Sequence, residues 1–203
     1  NVLLLAPGFS IGERYNYKTK TRKGYLPPLG LGYLGAVLED VGHKVHIADI
    51  PAQGYTDEGI ISLANALQPD VVGFSLLTLA VPRAFELARY LKKHISVPFI
   101  FGGPHASAFP QDCFQTGDDR DIVVVGEGEA TLIELLGKMM WNAGLWSVKG
   151  ICYQQDGKIV KTPPRPYIEN LDTLPFPARH LFDMACYMPL ANNYKRLPAT
   201  NMI

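Results

Sequence analysis

The chain has 203 residues, 47% of them apolar and 19% charged, the composition of a soluble globular protein with one domain and a short appendage. Nineteen Lys and Arg balance nineteen Asp and Glu, which excludes the strongly basic surface that grips nucleic acid or an anionic membrane. The longest apolar stretch, Val71 to Val81, is interrupted by Gly73, Ser75 and Thr78 and falls short of the ~18 residues of a membrane-spanning helix.

Val2-Leu3-Leu4-Leu5-Ala6 is a short, fully apolar run of the kind that forms a strand buried on both faces. It has no basic leader and no cleavage site, so it does not read as a signal peptide. Residues 7–27 are loop-like and carry Arg14, Lys18, Lys20, Arg22 and Lys23 among Tyr15, Tyr17 and Tyr25. Pro27-Pro28 opens a helix that runs through Leu31, Leu34, Val37 and Leu38 to a stop at Gly42. Lys44 to Asp49 is a second strand, and Ile60, Ile61, Leu63, Ala64 and Leu67 mark a helix ending before Pro69.

The unit then repeats. Val71–Ser75 is a strand, Pro82 to His94 an amphipathic helix, and Val97–Phe101 a strand followed by the loop Gly102–Ser107. Ile122–Val125 is the fifth strand, after which Gly126-Glu127-Gly128-Glu129 leads into a helix bearing Leu132, Ile133, Leu135, Leu136 and Met139. Beyond residue 145, an Asp156-Gly157 turn between two short apolar runs gives a β-hairpin over 146–162. Residues 163–203 hold seven prolines and little periodicity, and read as a connector outside the core. The chain opens directly in a strand without Met and stops in a polar loop, which suggests a piece of a longer protein.

Five apolar strands alternating with helices predict an α/β fold over residues 1–145: a five-stranded parallel sheet in the flavodoxin-like order 2-1-3-4-5, with helices on both faces. Ligands of such sheets bind at the carboxyl ends of the strands, so the loops after residues 6, 75, 101 and 125 should build the site. Ser75-Leu76-Leu77-Thr78 offers hydroxyls beside apolar side chains. Gly102-Gly103 removes two side chains where a strand exits, which lets a planar group approach the backbone, although a tight turn has the same requirement. Glu127 and Glu129 would repel a pyrophosphate but can accept from ribose hydroxyls or amide N–H groups; Glu129 also suits the positive start of a helix. No dinucleotide fingerprint follows the first strand, which continues Ala6-Pro7-Gly8. The acidic residues of a phospho-acceptor receiver domain are missing from the corresponding strand ends.

Ser75-x-Leu77 followed by Gly102-Gly103 resembles the SxL…GG signature of cobalamin-binding domains. Pro27-Pro28-Leu29-Gly30-Leu31-Gly32, Phe101-Gly102-Gly103-Pro104-His105-Ala106 and Gly126-Glu127-Gly128-Glu129-Ala130 are similar, more narrowly, to the B12-dependent radical S-adenosylmethionine (SAM) enzymes. That group includes methyltransferases and the anaerobic magnesium-protoporphyrin monomethyl ester oxidative cyclase. Ile168 to Arg179 resembles their bridge to a catalytic barrel. The resemblance implies cobalamin held by Pro28, Leu29, Gly30, Ser75, Leu76, Leu77, Thr78, Gly102, Gly103, Pro104, His105, Gly126, Glu127, Gly128 and Glu129, with its nucleotide tail entering beside Ser75, Thr78, Gly102 and Gly103.

The DxHxxG motif that supplies a cobalt-coordinating histidine in the wider B12 family does not occur. The resemblance therefore implies base-off, His-off cobalamin, whose lower face without a strong donor favours reduction towards Co(I). His105 has no carboxylate neighbour in sequence to support it as a ligand, and instead suits a hydrogen bond to a loop carbonyl or a corrin amide. The loop over 14–25 reads as solvated, with the corrin's upper face or a substrate as its other conceivable contact.

Cys113, Cys152 and Cys186 lie 39 and 34 residues apart and cannot form the CxxxCxxC triplet of a radical SAM iron–sulfur cluster. The resemblance places that cluster, a 4Fe–4S centre, together with SAM, in a C-terminal radical SAM domain beyond Ile203. The fragment by itself would bind cobalamin and catalyse nothing. An odd, scattered set of cysteines also points to a reducing cytoplasm. A B12- or flavin-binding sensor on the same fold is the alternative reading.

Overall fold

The computed structural model describes residues 1–8 and 25–187; the basic loop over 14–24 and the last part of the connector, 188–203, lie outside the described residues. The strands are β1 (Val2–Ala6), β2 (Val45–Asp49), β3 (Val71–Ser75), β4 (Phe99–Gly102), β5 (Ile122–Val124), β6 (Ile151–Gln155) and β7 (Lys158–Lys161). The helices are α1 (Leu29–Asp40), the short α2 (Ile50–Gln53), α3 (Asp57–Leu67), α4 (Val81–Leu91), the short α5 (Pro104–Ala108) and α6 (Glu129–Met140). All strands join one sheet in the order β2-β1-β3-β4-β5-β6-β7.

The sheet is mixed, with seven strands where the sequence predicted five parallel ones. β1 to β5 pair in parallel, but β6 runs antiparallel to β5, with Val123 opposite Cys152, and β7 antiparallel to β6. The hairpin is thus an edge of the sheet and not an appendage. Its turn has Asp156 and Gly157 both at positive φ, which matches the twist of the flanking strands.

Side-chain alternation along each strand separates two cores. Leu3, Leu5, Val72, Phe74, Phe99 and Phe101 face α3 and α4. There Phe74 stacks on Phe101 at 5.2 Å between ring centroids, and Phe85 tilts onto Phe101 at 4.9 Å. Helix α4 buries Ala84, Phe85, Leu87, Ala88 and Leu91, and its Arg83 pairs with Asp57 in the first turn of α3. On the other face, Val2, Leu4, Val71, Ile100, Ile122 and Val124 meet Leu31 and Leu38 of α1 and Leu132, Leu135 and Leu136 of α6. At the amino ends of β4 and β5, the Lys92 ammonium lies 2.6 Å from both Asp118 and Asp121, and Asp121 accepts from Phe99 N–H.

The connector departs from expectation. Ala178, Phe182 and Tyr187 are buried, and Phe182 and Tyr187 belong to the core on the α1/α6 side. Ala178 N–H donates to the Gly32 carbonyl at 2.9 Å. A Cβ on Gly35 would stand 2.7 Å from Leu181 Cδ1, and one on Gly32 3.1 Å from both Phe182 and Pro177. The two glycines of α1 therefore admit the connector against the helix backbone. Proline-rich sequence here is fixed structure, packed on the sheet's own helices.

Candidate functional site

A cavity of about 250 Å³ lies between the sheet and the α1/α6 pair. Leu31, Leu34 and Leu38 form one wall, Leu132 and Leu136 the other, and Val2, Leu4, Val71, Gly73, Ile100 and Val124 the floor. Its mouth is at the carboxyl ends of the strands, ringed by Gly30, Ser75, Gly102, Gly103, Pro104 and the 126–129 loop. From there it runs beneath the helices to the opposite end of β1 and β3. It is a narrow apolar slot with a polar rim.

The absence of side chains gives the slot its depth. Gly73 sits mid-strand, where a Cβ would meet Leu4 Cδ2 at 2.7 Å and push that side chain into the cavity. A Cβ on Gly102 would meet only Val124, at 3.9 Å, and one on Gly30 nothing within 4 Å; both positions leave the mouth open. Gly103 differs. It has φ +95, and its Cβ would lie 2.9 Å from Leu76 N and 3.0 Å from Leu76 O. The glycine pair thus divides its labour: Gly102 leaves space at the mouth, while Gly103 allows a backbone turn and a close strand approach.

The loops of the mouth are stitched together. Leu76 N–H donates to Gly102 O at 2.7 Å and His105 N–H to Leu76 O at 3.1 Å, which locks the end of β3 to the start of α5. Where the sequence suggested a loop over Gly102–Ser107, β4 extends through Gly102 and Pro104 starts a single helical turn. Within that turn the Ser107 hydroxyl donates to Gly103 O at 3.1 Å and accepts from Gly126 N–H at 3.0 Å. One serine therefore ties the β4 and β5 exits together.

Of the residues singled out from sequence, Gly30, Ser75, Gly102, Gly103, Pro104, Gly126, Glu127, Gly128 and Glu129 surround the slot. Pro28, Leu29, Leu76, Leu77, Thr78 and His105 are not among its lining. Pro28 caps α1, and Leu29 and Leu76 are buried in the cores. Leu77 and Thr78 lie exposed on the loop after β3. His105 is buried, its Nδ1 3.3 Å from Thr78 Oγ1 and its ring beside Phe109. Its Nε2 is enclosed without a hydrogen-bond partner. Glu127 turns one carboxylate oxygen to the connector, accepting from Ile168 N–H at 2.7 Å, which fixes the loop after β5 against the chain leaving the hairpin.

The apolar lining was missed in sequence because leucines at 31, 34, 38, 132 and 136 have the spacing of any filled core. Gly73, a glycine inside an otherwise β-branched and aromatic strand, was the available signal for a slot. Asp49 was also missed. It ends β2, accepts from Ala52 N–H at 3.3 Å and is buried. Burial pushes its carboxyl up to about 6, against the pull of the Ala52 hydrogen bond. The neighbouring Tyr187 phenol is raised in turn by burial and by Asp49.

A carboxyl raised on folding favours the native state while protonated. Stability is therefore highest below the unfolded pKa of about 4 and falls as pH rises through 6. Asp49→Asn should remove this step and raise stability at pH 7 by about 1–3 kcal/mol, measured as the melting temperature across pH 4–8. An unchanged pH profile would exclude the buried carboxyl as its source.

Comparison with known proteins places these features. Residues 19–136, more than half the chain, match the B12 binding domain family. The chain is 35% identical over 162 residues to an uncharacterized methyltransferase of Pyrococcus horikoshii, covering 79% of this chain and 35% of that protein. It is 33% identical over 174 residues to the anaerobic magnesium-protoporphyrin IX monomethyl ester cyclase of Synechocystis, covering 84% and 34%. The chain thus spans about a third of the length of these relatives.

Among solved structures, the cobalamin-dependent SAM radical enzyme OxsB, with aqua-cobalamin and SAM bound, shares the fold at TM-score 0.72 and 23% identity, covering 87% of this chain and 24% of that one. The radical SAM methyltransferase TsrM from Kitasatospora setae, with cobalamin and a 4Fe–4S cluster bound, does so at TM-score 0.66 and 21% identity, covering 80% and 30%. The chain belongs to the B12-binding domain family, carried by the sequence match over most of its sheet and by a slot that opens where such sheets bind their ligands.

Proposed function

We propose that the slot receives the nucleotide tail of cobalamin, leaving the corrin over the strand-end loops, and that the whole protein is a B12-dependent radical SAM enzyme. The supporting observation is the cradle at Gly102, where a side chain would fill the mouth of an otherwise continuous apolar cavity. Its volume, about 250 Å³, is below the ~300–1,000 Å³ of pockets that enclose a whole ligand, so it suits one planar limb of a larger molecule. Leucine and valine walls would shed water around an aromatic base, and Ser75 with the backbone amides of the mouth would meet the polar link that follows it.

The sequence has no DxHxxG histidine, and His105 is buried against Thr78 and Phe109; both support a base-off, His-off state. When bound, cobalamin supplies a cobalt centre able to carry a methyl group. This chain's residues would hold the tail and exclude water from it. A 4Fe–4S cluster and SAM would belong to a radical SAM domain of the same polypeptide, with methyl transfer or oxidative cyclisation as the chemistry. No helix of the described residues is long and apolar enough to cross a membrane. Cys113, Cys152 and Cys186 form no disulfide, which supports a reducing cytoplasmic setting.

The test is reconstitution with hydroxocobalamin or FMN, desalting, and the visible spectrum of what stays bound. Cobalamin should be retained near one per chain, with its absorption maxima unshifted by His105→Ala. Retained FMN without cobalamin would overturn the proposal, and a large shift in the histidine variant would restore imidazole ligation.

A further inference from the structure

The chain leaving the hairpin crosses the outer faces of the two helices whose inner faces wall the slot. Gly150 N–H donates to Pro163 O at 2.8 Å, which fixes its start to the sheet edge. Arg165 Nε then donates to Thr131 Oγ1 at 2.9 Å, and the same guanidinium pairs with Glu134, both on α6. Three residues on, Ile168 N–H bonds Glu127, just before α6. Ile168, Leu174 and Pro175 next border the outer groove between Val37 of α1, Val41 at its C-terminal end, and Ala130 and Ile133 of α6. Finally, Ala178 N–H bonds Gly32 O, Leu181 seats on Gly35, and His180 Nε2 meets Glu39 at 3.0 Å, all on α1.

Each helix is therefore held from outside by directed polar bonds, and below the rim at Gly30 and Glu129 it lines the slot with leucines. The helices also meet directly through apolar side chains of one core, and a Cβ on Gly128, just before α6, would lie 3.0 Å from Leu34 Cδ2. Apolar walls do not by themselves fix a gap, since dispersion is weak per contact and undirected. The hydrogen bonds of the outer segment do, because each requires one geometry.

We propose that residues 163–182 form a strap that sets the separation of α1 and α6 and thereby the width of the slot. Arg165 and the Glu127–Ile168 bond are its fastening on α6, and the Gly32–Gly35 ledge is its fastening on α1. Arg165 is a positioning residue: it is not among the slot lining and acts through the helix it holds. The choice of cobalamin as the slot's ligand rests on the function proposed above. The strap itself rests on these contacts.

The experiment compares Arg165→Ala, Glu127→Ala and Glu127→Gln with the unmodified chain. It reads amide hydrogen exchange over residues 29–40 and 129–140 in the ligand-free protein, and hydroxocobalamin affinity by absorbance titration. Both alanine variants should speed exchange in the two helices and weaken cobalamin about tenfold, the order expected when charge-assisted hydrogen bonding on α6 is lost. Glu127→Gln should recover the exchange protection, because its amide oxygen still accepts from Ile168 N–H. Unchanged exchange in Arg165→Ala overturns the strap, as does faster exchange with undiminished cobalamin affinity. Glu127→Gln exchanging as fast as Glu127→Ala also overturns it. If the unmodified chain retains no cobalamin while exchange still follows the predicted pattern, the strap stands and the cofactor assignment falls.

Discussion

Gly102→Leu should abolish cobalamin retention, by ~100-fold or more in affinity, while the folded chain melts near its original temperature. The added side chain has room: no backbone atom lies within 4 Å of its Cβ, and the residue's φ is not in the left-handed region. It projects on the same face as Ile100 and Val124, into the mouth. A blocked slot forfeits the apolar burial of the inserted limb, and at ~25 cal/mol per Å² a buried aromatic base of more than 100 Å² is worth several kcal/mol. Gly103→Ala should do the reverse. Its Cβ collides with the Leu76 backbone at 2.9 Å in a left-handed conformation, which costs about 1–3 kcal/mol of stability. Thermal melts and cobalamin titrations of the pair separate the two roles. Equal loss of binding at unchanged stability in both variants would refute the division.

Phe182→Ala should destabilise the domain by about 3–5 kcal/mol, the range for removing a buried aromatic side chain. Phe182 is only 7% exposed, meets Tyr187 edge-on at 6.0 Å between centroids, and packs at the Gly32 ledge. Phe176, six residues earlier in the same connector, is 94% exposed, and its replacement by alanine should stay within about 0.5 kcal/mol. Urea unfolding of the two variants decides whether the proline-rich segment is integral to the domain. Similar small effects for both would make it a tether only lightly laid on the surface.

Much of the sheet could be read in the sequence, because each parallel strand is a compact apolar run and each major helix shows a one-sided repeat. The hairpin was visible in Asp156-Gly157, yet its place was not. β5 has only three residues, and nothing local in it specifies an antiparallel partner on its free edge. The connector's contribution was hidden for a related reason. Ala178, Phe182 and Tyr187 follow neither a helical nor a strand period, so their burial arises from contacts with α1 that no window of sequence contains. At the site, glycines pointed to the strand ends where the cavity opens, but glycine identity does not say whether space or backbone conformation is needed. Coordinates separate Gly102 from Gly103 on that point. Glu127 carries a role the sequence did not show: one of its carboxylate oxygens accepts from Ile168 N–H of the same chain while the residue also borders the slot.

The proposed function puts the nucleotide tail of cobalamin in the apolar slot beneath α1 and α6. Competition between cobalamin and cobinamide, which has the corrin but no nucleotide tail, tests it most directly by equilibrium titration on the unmodified chain and on Gly102→Leu. The unmodified chain should bind cobalamin at least ~100-fold more tightly than cobinamide, and Gly102→Leu should erase this preference. Equal affinity for the two corrinoids in the unmodified chain would contradict it.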